Sequence, residues 1–358
     1  MNEITRIVTV SIARKLLGQT LEGRWTLVSE RRPPPTASGG CFSHGFIARG
    51  PDGEEAFVKV LDIRLNGSHS DPLKDLEIRI QRFNYEADIA RACADDRLSR
   101  VAHAIAHGVL RVGPDGSEAF PYLIFERAAG DLRDQIARER QLPPWVCFGV
   151  LHNVAVAIRQ LHAKNIAHQD VKPSNVLDYR ADGHKLGDFG SAHVRARTRP
   201  GPILPIAGDP TYAPPEQLYR YHVDDWVWRR LMGDVYHLGS LALFLLTGEG
   251  ATARLARQLA PEHHWDVWTG SPDDLLPILR HTVAGVVDEV LPEHSNLDPS
   301  KHAELTQILR YLLEPDPRLR GYPADRSEGV PNGMQRLISK FYVFSEAARL
   351  RATTRGRR

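Results

Sequence analysis

At 358 residues the chain is too long for one minimal domain and suits two lobes or two domains, and its 42% of apolar residues is enough for sizeable cores. A net charge of +2 gives no global pull toward nucleic acid or an anionic membrane. The three cysteines, Cys41, Cys93 and Cys147, lie far apart without a C-x-x-C pair, and the 16 histidines form no H-E-x-x-H; this argues against a disulfide framework and a zinc site and suggests a reducing cytosol.

The first 19 residues make no signal peptide, because Ser11 and Arg14 break the apolar run and no small-residue cleavage site follows. The longest apolar run, residues 238–247, is far shorter than the ~20 residues a membrane span needs. The expectation is therefore a soluble, cytoplasmic chain without a transmembrane anchor. Residues 1–24 show no decisive pattern and read as an N-terminal extension.

From Trp25 the sequence turns strand-like, until Pro33-Pro34-Pro35 interrupts it. Ser38-Gly39-Gly40-Cys41-Phe42-Ser43 follows as a glycine-containing turn, where the lack of a side chain lets backbone N–H groups approach a phosphate. After a turn at Pro51-Asp52-Gly53 comes Ala56-Phe57-Val58-Lys59-Val60-Leu61, a strand carrying one lysine. Residues 71–95 read as a helix opened by Asp71-Pro72, with Leu76, Ile80, Phe83, Ala87 and Ala90 at helical spacing; Glu77 and Glu86 are its carboxylate candidates beside the stripe. Two strands flank the turn at residues 113–116, and the second runs into Glu126-Arg127-Ala128.

Residues 144–163 read as a buried helix with Leu151, Val154, Ala155, Ile158 and Leu161 on one face. It delivers His168-Gln169-Asp170-Val171-Lys172-Pro173-Ser174-Asn175, and Gly187-Asp188-Phe189-Gly190 follows. Phosphoryl transfer from ATP needs such a set: a carboxylate to take the proton of the attacking hydroxyl, a cation beside the moving group, and oxygen ligands for magnesium. Further on come Gly208-Asp209-Pro210-Thr211-Tyr212-Ala213-Pro214-Pro215-Glu216, an aromatic and basic stretch at 219–230 and Asp234-Val235-Tyr236-His237-Leu238-Gly239. Residues 251–300 read as helices broken by Pro261, Pro272 and Pro292. Leu312-Leu313-Glu314-Pro315-Asp316-Pro317-Arg318-Leu319-Arg320 precedes a basic, helix-like tail expected to be solvated and partly frayed.

The octapeptide and the D-F-G that follows it resemble the catalytic loop and metal motif of the eukaryotic-like (Hanks-type) Ser/Thr protein kinase superfamily, and the anchorless form looks like its soluble bacterial members. The resemblance covers roughly residues 25–325 and implies an α+β, two-lobed protein-kinase-like fold, with ATP and magnesium between the lobes. It implies a small β-rich lobe at 25–126, a larger, mainly helical lobe at 127–325 and a basic helical tail at 326–358.

Carried onto this sequence, the family pattern makes Asp170 the proton acceptor, Lys172 the cation at the transferred group, and Asn175 and Asp188 the magnesium ligands. Lys59 would meet the α- and β-phosphates, oriented by Glu86 or, failing that, Glu77. Gly39, Gly40 and Phe42 would cover the phosphates, although Ser38 and Ser43 stand where the family has glycines. Phe125 would close the back of the adenine pocket, and the Glu126 carbonyl and Ala128 amide would bind the adenine edge. Asp234 would hold the catalytic-loop backbone, and Glu216 would pair with Arg320.

Three departures stand out. Gln169 replaces the arginine that normally ties an activation-loop phosphate to the catalytic loop, so activity is expected not to depend on such a phosphate. Asp209 replaces a threonine, and Pro214 an alanine. The implied reaction is γ-phosphoryl transfer from Mg-ATP to Ser/Thr hydroxyls of a protein substrate, with autophosphorylation and without membrane or nucleic-acid partners. Two other readings stay open: an ATP-binding pseudokinase scaffold, and a small-molecule kinase of the aminoglycoside or choline type, which shares H-x-D-x-x-x-x-N.

Overall fold

A computed structural model describes residues 12–31, 43–65, 71–294, 297–328 and 333–355. The chain divides into two compact units, one built from Met1–Leu98, Ala102–Ala128 and Arg199–Gly201, the other from Ser99–Val101, Ala129–Thr198 and Pro202–Arg358.

The first unit opens with a short helix α1 (Ile12–Leu16) and carries six strands: β1 (Thr20–Leu21), β2 (Trp25–Arg31), β3 (Ser43–Arg49), β4 (Glu55–Leu61), β5 (Ala104–Val112) and β6 (Glu118–Glu126). They form one antiparallel sheet in the order β1-β2-β3-β4-β6-β5. The two-residue period of β4 sends Ala56, Val58 and Val60 into a core shared with Leu27, Phe46, Phe120 and Ile124, and turns Phe57 and Lys59 to the opposite face. Lys59 lies opposite Gly45 on β3 and Leu123 on β6, so a central, doubly paired strand fixes it.

Helix α2 (Pro72–Asp95) starts where expected, with Asp71 accepting the Lys74 N–H at 3.0 Å and proline in the first turn. Its buried residues include Arg79, Phe83, Tyr85, Glu86, Ala87 and Ala90.

The expected extension at 1–24 is corrected for its described part. Ile12, Ala13, Leu16 and Leu21 are buried in the sheet's core, and Tyr122 donates to Glu22 Oε1 at 2.5 Å. Burial of these apolar side chains makes the segment part of the unit.

The second unit is mainly helical. Asp131 caps α3 (Leu132–Glu139) with a reciprocal capping box. Helix α4 (Pro144–Ala163) buries Phe148, Leu151, Val154, Ala155, Ile158 and Leu161. Five short strands follow the chain: β7 (Gly130–Asp131), β8 (Ile166–Ala167), β9 (Val176–Asp178), β10 (His184–Leu186) and β11 (His193–Val194). They pair as β10-β9-β7 and β11-β8 and hold the loops between them.

Next come α5 (Pro215–Leu218) and a π-helical turn (Val227–Leu231) that runs into α6 (Met232–Thr247), a helix buried over most of its length. Helices α7 (Ala251–Gln258), α8 (Pro272–His294), α9 (Pro299–Leu312), α10 (Pro323–Ser327) and α11 (Met334–Arg355) complete the unit. No single helix among the described residues is long and apolar enough to cross a membrane.

Three further expectations are corrected here. Pro272 does not break a helix but begins the 23-residue α8, which continues through Pro292; proline suits a first turn because the N–H it lacks would have no partner there. The tail at 326–358 is not a frayed end over its described part. Leu337, Phe341, Phe344 and Ala348 form a buried stripe, Phe344 meets Phe148 of α4 at 5.5 Å between ring centroids, and Ser345 donates to the Trp145 carbonyl at 2.8 Å. The boundary between the units falls after Ala128 rather than after Glu126.

Candidate active site

In the first unit, Lys59 Nζ donates to both carboxylate oxygens of Glu86, at 2.7 and 2.9 Å, which ties the central strand to α2. The Glu86 side chain is 7% exposed and that of Lys59 19%, so the pair is largely shielded from screening. Glu77 is exposed and accepts instead from Gln81 Nε2, one helical turn away. Gly39, Gly40 and Phe42, with Ser38 and Cys41, lie outside the described residues. Phe125 is buried and lies opposite Phe57 in the sheet register. Glu126 accepts the His103 N–H on Oε1 at 2.9 Å, and Ala128 is buried at the end of the unit.

In the second unit, α4 and β8 lead into residues 168–175, and Asp234 at the start of α6 holds that loop. Its Oδ2 accepts the His168 N–H at 2.8 Å and contacts His162 Nε2 at 2.9 Å, while Oδ1 accepts the Gln169 N–H at 2.7 Å. Burial pushes the Asp234 carboxyl up, but the hydrogen bond from His162 and the neighbouring imidazoles outweigh it and hold the group below the ordinary carboxylate range. A fully buried carboxylate is stable only with such donors.

Gln169 and Asp188 both have positive φ, +65° and +63°. Non-glycine residues adopt this left-handed conformation only when their surroundings impose it, and such strain collects at functional sites. His168 ties the two loops: Nε2 lies 3.0 Å from the Gly187 carbonyl, and its ring packs 5.7 Å from that of Phe189.

Asp170 is the centre of the loop. Its Oδ2 accepts from Asn175 Nδ2 at 3.0 Å and lies 3.2 Å from Lys172 Nζ, and its Oδ1 accepts the Asp209 N–H at 3.0 Å. Asn175 also donates to the Asp170 carbonyl at 2.8 Å. Its amide nitrogen is thus turned into the loop. Lys172 bridges two carboxylates, with Asp209 Oδ2 at 3.1 Å. Burial draws the Lys172 pKa down, yet Asp170 and Asp209 raise it above the ordinary lysine value.

The oxygen of Asn175 and the exposed carboxylate of Asp188 are hard donors of the kind magnesium takes alongside phosphate oxygens and water, so the residues present fit that ion. Among the described residues, no group of three or more His, Cys, Asp or Glu side chains could hold a metal by itself.

Sequence reasoning missed three participants. Gly208, at φ +79°, lies so close to the loop that a Cβ there would meet the Gln169 carbonyl oxygen and stand 2.8 Å from Asp170 Oδ1. His162 was read only as part of a helix. Arg230 clasps Gln169: the glutamine donates to the Arg230 carbonyl at 2.7 Å and accepts from Arg230 Nη1 at 3.2 Å. The open glycine contact follows from the first residue of the G-D-P motif, but no local signal announces the other two.

The stretch at 219–230 packs in part as a core. Tyr219 and Tyr221 stack and join Trp265 and Trp268 around Leu259, Leu275 and Leu279. Beside this cluster an open groove is lined by Leu204, Ile206, Pro210, Thr211, Tyr219 and Trp265. Arg320 forms a buried, two-pronged ion pair with Glu216 at 2.8 and 2.7 Å.

Comparison with known proteins agrees with this geometry. The family described as protein kinase domain matches residues 68–324, a span that begins after the Lys59 strand. Serine/threonine-protein kinase DCLK1 of Rattus norvegicus is 30% identical over 230 residues, covering 60% of this chain and 46% of the relative. Serine/threonine-protein kinase PknL of Mycobacterium bovis is 31% identical over 192 residues, 53% of this chain and 42% of the relative. Serine/threonine-protein kinase PknB of Mycobacterium leprae is 28% identical over 196 residues, 52% of this chain and 29% of the relative. The chain thus spans less than half the length of each of these relatives. With the loop at 168–175, the D-F-G segment and the Glu216–Arg320 pair in place, the chain belongs to the protein kinase domain family, within the Hanks-type Ser/Thr superfamily.

Proposed function

We propose that this chain transfers the γ-phosphoryl group of Mg-ATP to serine or threonine hydroxyls of a protein substrate, itself included. The observation that carries the reading is the convergence of Lys172, Asn175 and the Asp209 N–H on the carboxylate of Asp170. A carboxylate held in this way is oriented to accept the proton of an attacking hydroxyl. Lys172 offsets charge on the transferred group, and Lys59, steadied by Glu86, meets the phosphates of the nucleotide. Asn175 and Asp188 would hold magnesium, which when bound would supply positive charge beside the phosphate oxygens.

The Gln169–Arg230 clasp supports activity without an activation-loop phosphate. Gln169 is fully buried and already fixed by Arg230 and Asp234, so the loop has an internal tie where the family uses an arginine and a phosphate. The groove that Thr211 helps to line supports a peptide acceptor, because Thr211 is bonded to Asp209 and Asp209 to Asp170. We place this work in the cytoplasm; the buried thiols of Cys93 and Cys147, neither in a disulfide, suit a reducing compartment.

The test is transfer of labelled γ-phosphate by the purified chain to itself and to a basic acceptor protein. Asp170→Asn should lower the rate by ~10²–10⁴. Phosphatase treatment should leave the initial rate within about twofold, since no phosphate is needed to order the loop. Transfer that persists at the parent rate in Asp170→Asn would remove Asp170 from the chemistry. Tight ATP binding without any transfer would point to a pseudokinase scaffold.

A further inference from the structure

The Lys59–Glu86 pair ties β4 to α2 at one point, and a second tie lies further along both elements. Arg79 stands seven positions before Glu86 on α2, which at 3.6 residues per turn puts the two side chains on nearly the same face, about 10 Å apart along the axis. Arg79 Nη1 donates to the Asp62 carbonyl at 2.6 Å and Nη2 to the Arg64 carbonyl at 2.8 Å. Both carbonyls lie just past Leu61, the end of the strand that carries Lys59.

The receiving turn suits this fork. Asp62 Oδ1 accepts the Arg64 N–H at 3.0 Å, and Arg64 Nη2 donates to Asp62 Oδ2 at 2.6 Å. A carboxylate bonded to the backbone two residues on folds the chain into a compact turn, and here that turn offers two carbonyls to one guanidinium. The Arg79 side chain is 6% exposed, and its Nε lies 3.0 Å from Asp75 Oδ2, one helical turn earlier. A guanidinium buried this deeply persists only where its donors and its charge are met. Arg79 belongs to none of the motifs that carry the family resemblance. General stabilisation accounts for its burial, but not for a fork that closes on the end of the Lys59 strand.

We propose that Arg79 is a positioning residue for the Lys59–Glu86 pair: by gripping the turn after β4, it sets α2 at the rotation and distance at which Glu86 reaches Lys59. The catalytic consequence rests on the protein-kinase reading above. Two ties on one helix face fix both the roll of α2 and its slide along the strand, which a single ion pair does not.

Arg79→Met in the full chain keeps an apolar stem and removes the fork. With labelled ATP and protamine as acceptor, it should lower kcat at least about fivefold. In a Lys59→Met background, where the pair is already broken, it should cost no more than about twofold further. A loss below fivefold in the parent, or the same loss in both backgrounds, would overturn the proposal. If Arg79→Met does not fold, Arg79→Lys decides in its place. An ammonium keeps the charge for Asp75 but cannot span two carbonyls, so kcat should fall at least about threefold, and a smaller loss ends the proposal.

Urea unfolding gives a readout independent of catalysis. Side chains about 10 Å apart ordinarily contribute additively. If Arg79 sets the pair, Glu86→Gln should shift the midpoint less than half as far in the Arg79→Met background, or in Arg79→Lys, as in the parent. Additive shifts in a parent that transfers label would overturn the proposal and leave the kinase reading intact. Coupled shifts in a parent that transfers none would reject the kinase reading and still support the hold of Arg79 on the pair.

Discussion

Arg320 sets its two terminal nitrogens against the two carboxylate oxygens of Glu216, 104 residues earlier, and both groups are sealed from water. Arg320 also donates to the carbonyls of Met232, Glu314 and Pro315, so one guanidinium joins α5, the start of α6 and the loop after α9. Removing one partner leaves a buried charge uncompensated. Glu216→Ala should therefore cost about 3–5 kcal/mol in urea unfolding. Arg320→Lys should fare little better, because a point-like ammonium cannot reproduce the fork. A loss below about 1 kcal/mol would mean that the pair is no brace.

Gly208 leaves no room for a side chain. At φ +79° an added Cβ would press on the Gln169 carbonyl and stand 2.8 Å from Asp170 Oδ1, both parts of a loop that Asp234 holds in place. Gly208→Ala should reduce kcat by about 10²-fold by displacing Asp170, with the overall fold retained by circular dichroism. Near-parent kcat would show that the loop can yield.

The depressed pKa of Asp234 has a pH signature. Its carboxylate is favoured in the folded state, so its contribution is present above the ordinary carboxylate pKa of about 4 and fades as pH falls through the lower folded value. Asp234→Asn should be clearly less stable than the parent at neutral pH, and the gap between their urea midpoints should close in acid. A gap independent of pH would place the effect in packing rather than in charge.

Lys59 and Glu86 form a shielded pair whose strand needs no lysine for its register. Lys59→Met should keep the sheet intact and lower phosphoryl transfer by about 10²-fold, through the loss of a placed cation. Glu86→Gln should act in the same direction but less strongly, because its carboxamide retains one acceptor. Measuring both kcat and KM for ATP tells nucleotide orientation from simple affinity.

The family and the α+β fold were legible because phosphoryl transfer demands particular residue types at fixed offsets, and residues 168–175 and 187–190 carry them in order. Helix α2 was legible from Asp71-Pro72 and its stripe. Other features depend on partners that only folding supplies. Residues 12–21 are too few to show a period, and the sheet they join buries them. The stripe of α11 is hidden in sequence by the arginines and lysine among which it runs. The Gln169–Arg230 clasp joins residues 61 positions apart, and neither end has a local signature.

The position of α11 bears on how this protein can be cut. The family match stops at residue 324, whereas packing against α4 continues to Phe344 and Ser345, and burial to Ala348. An expression fragment trimmed to the family boundary would lay bare the aromatic face of α4 around Phe148. The same helix carries His162, which reaches Asp234, the residue that holds the loop at 168–175. Such a fragment would thus combine a sticky surface with a loosened foundation, and inactivity measured on it would say nothing about the chemistry of Asp170.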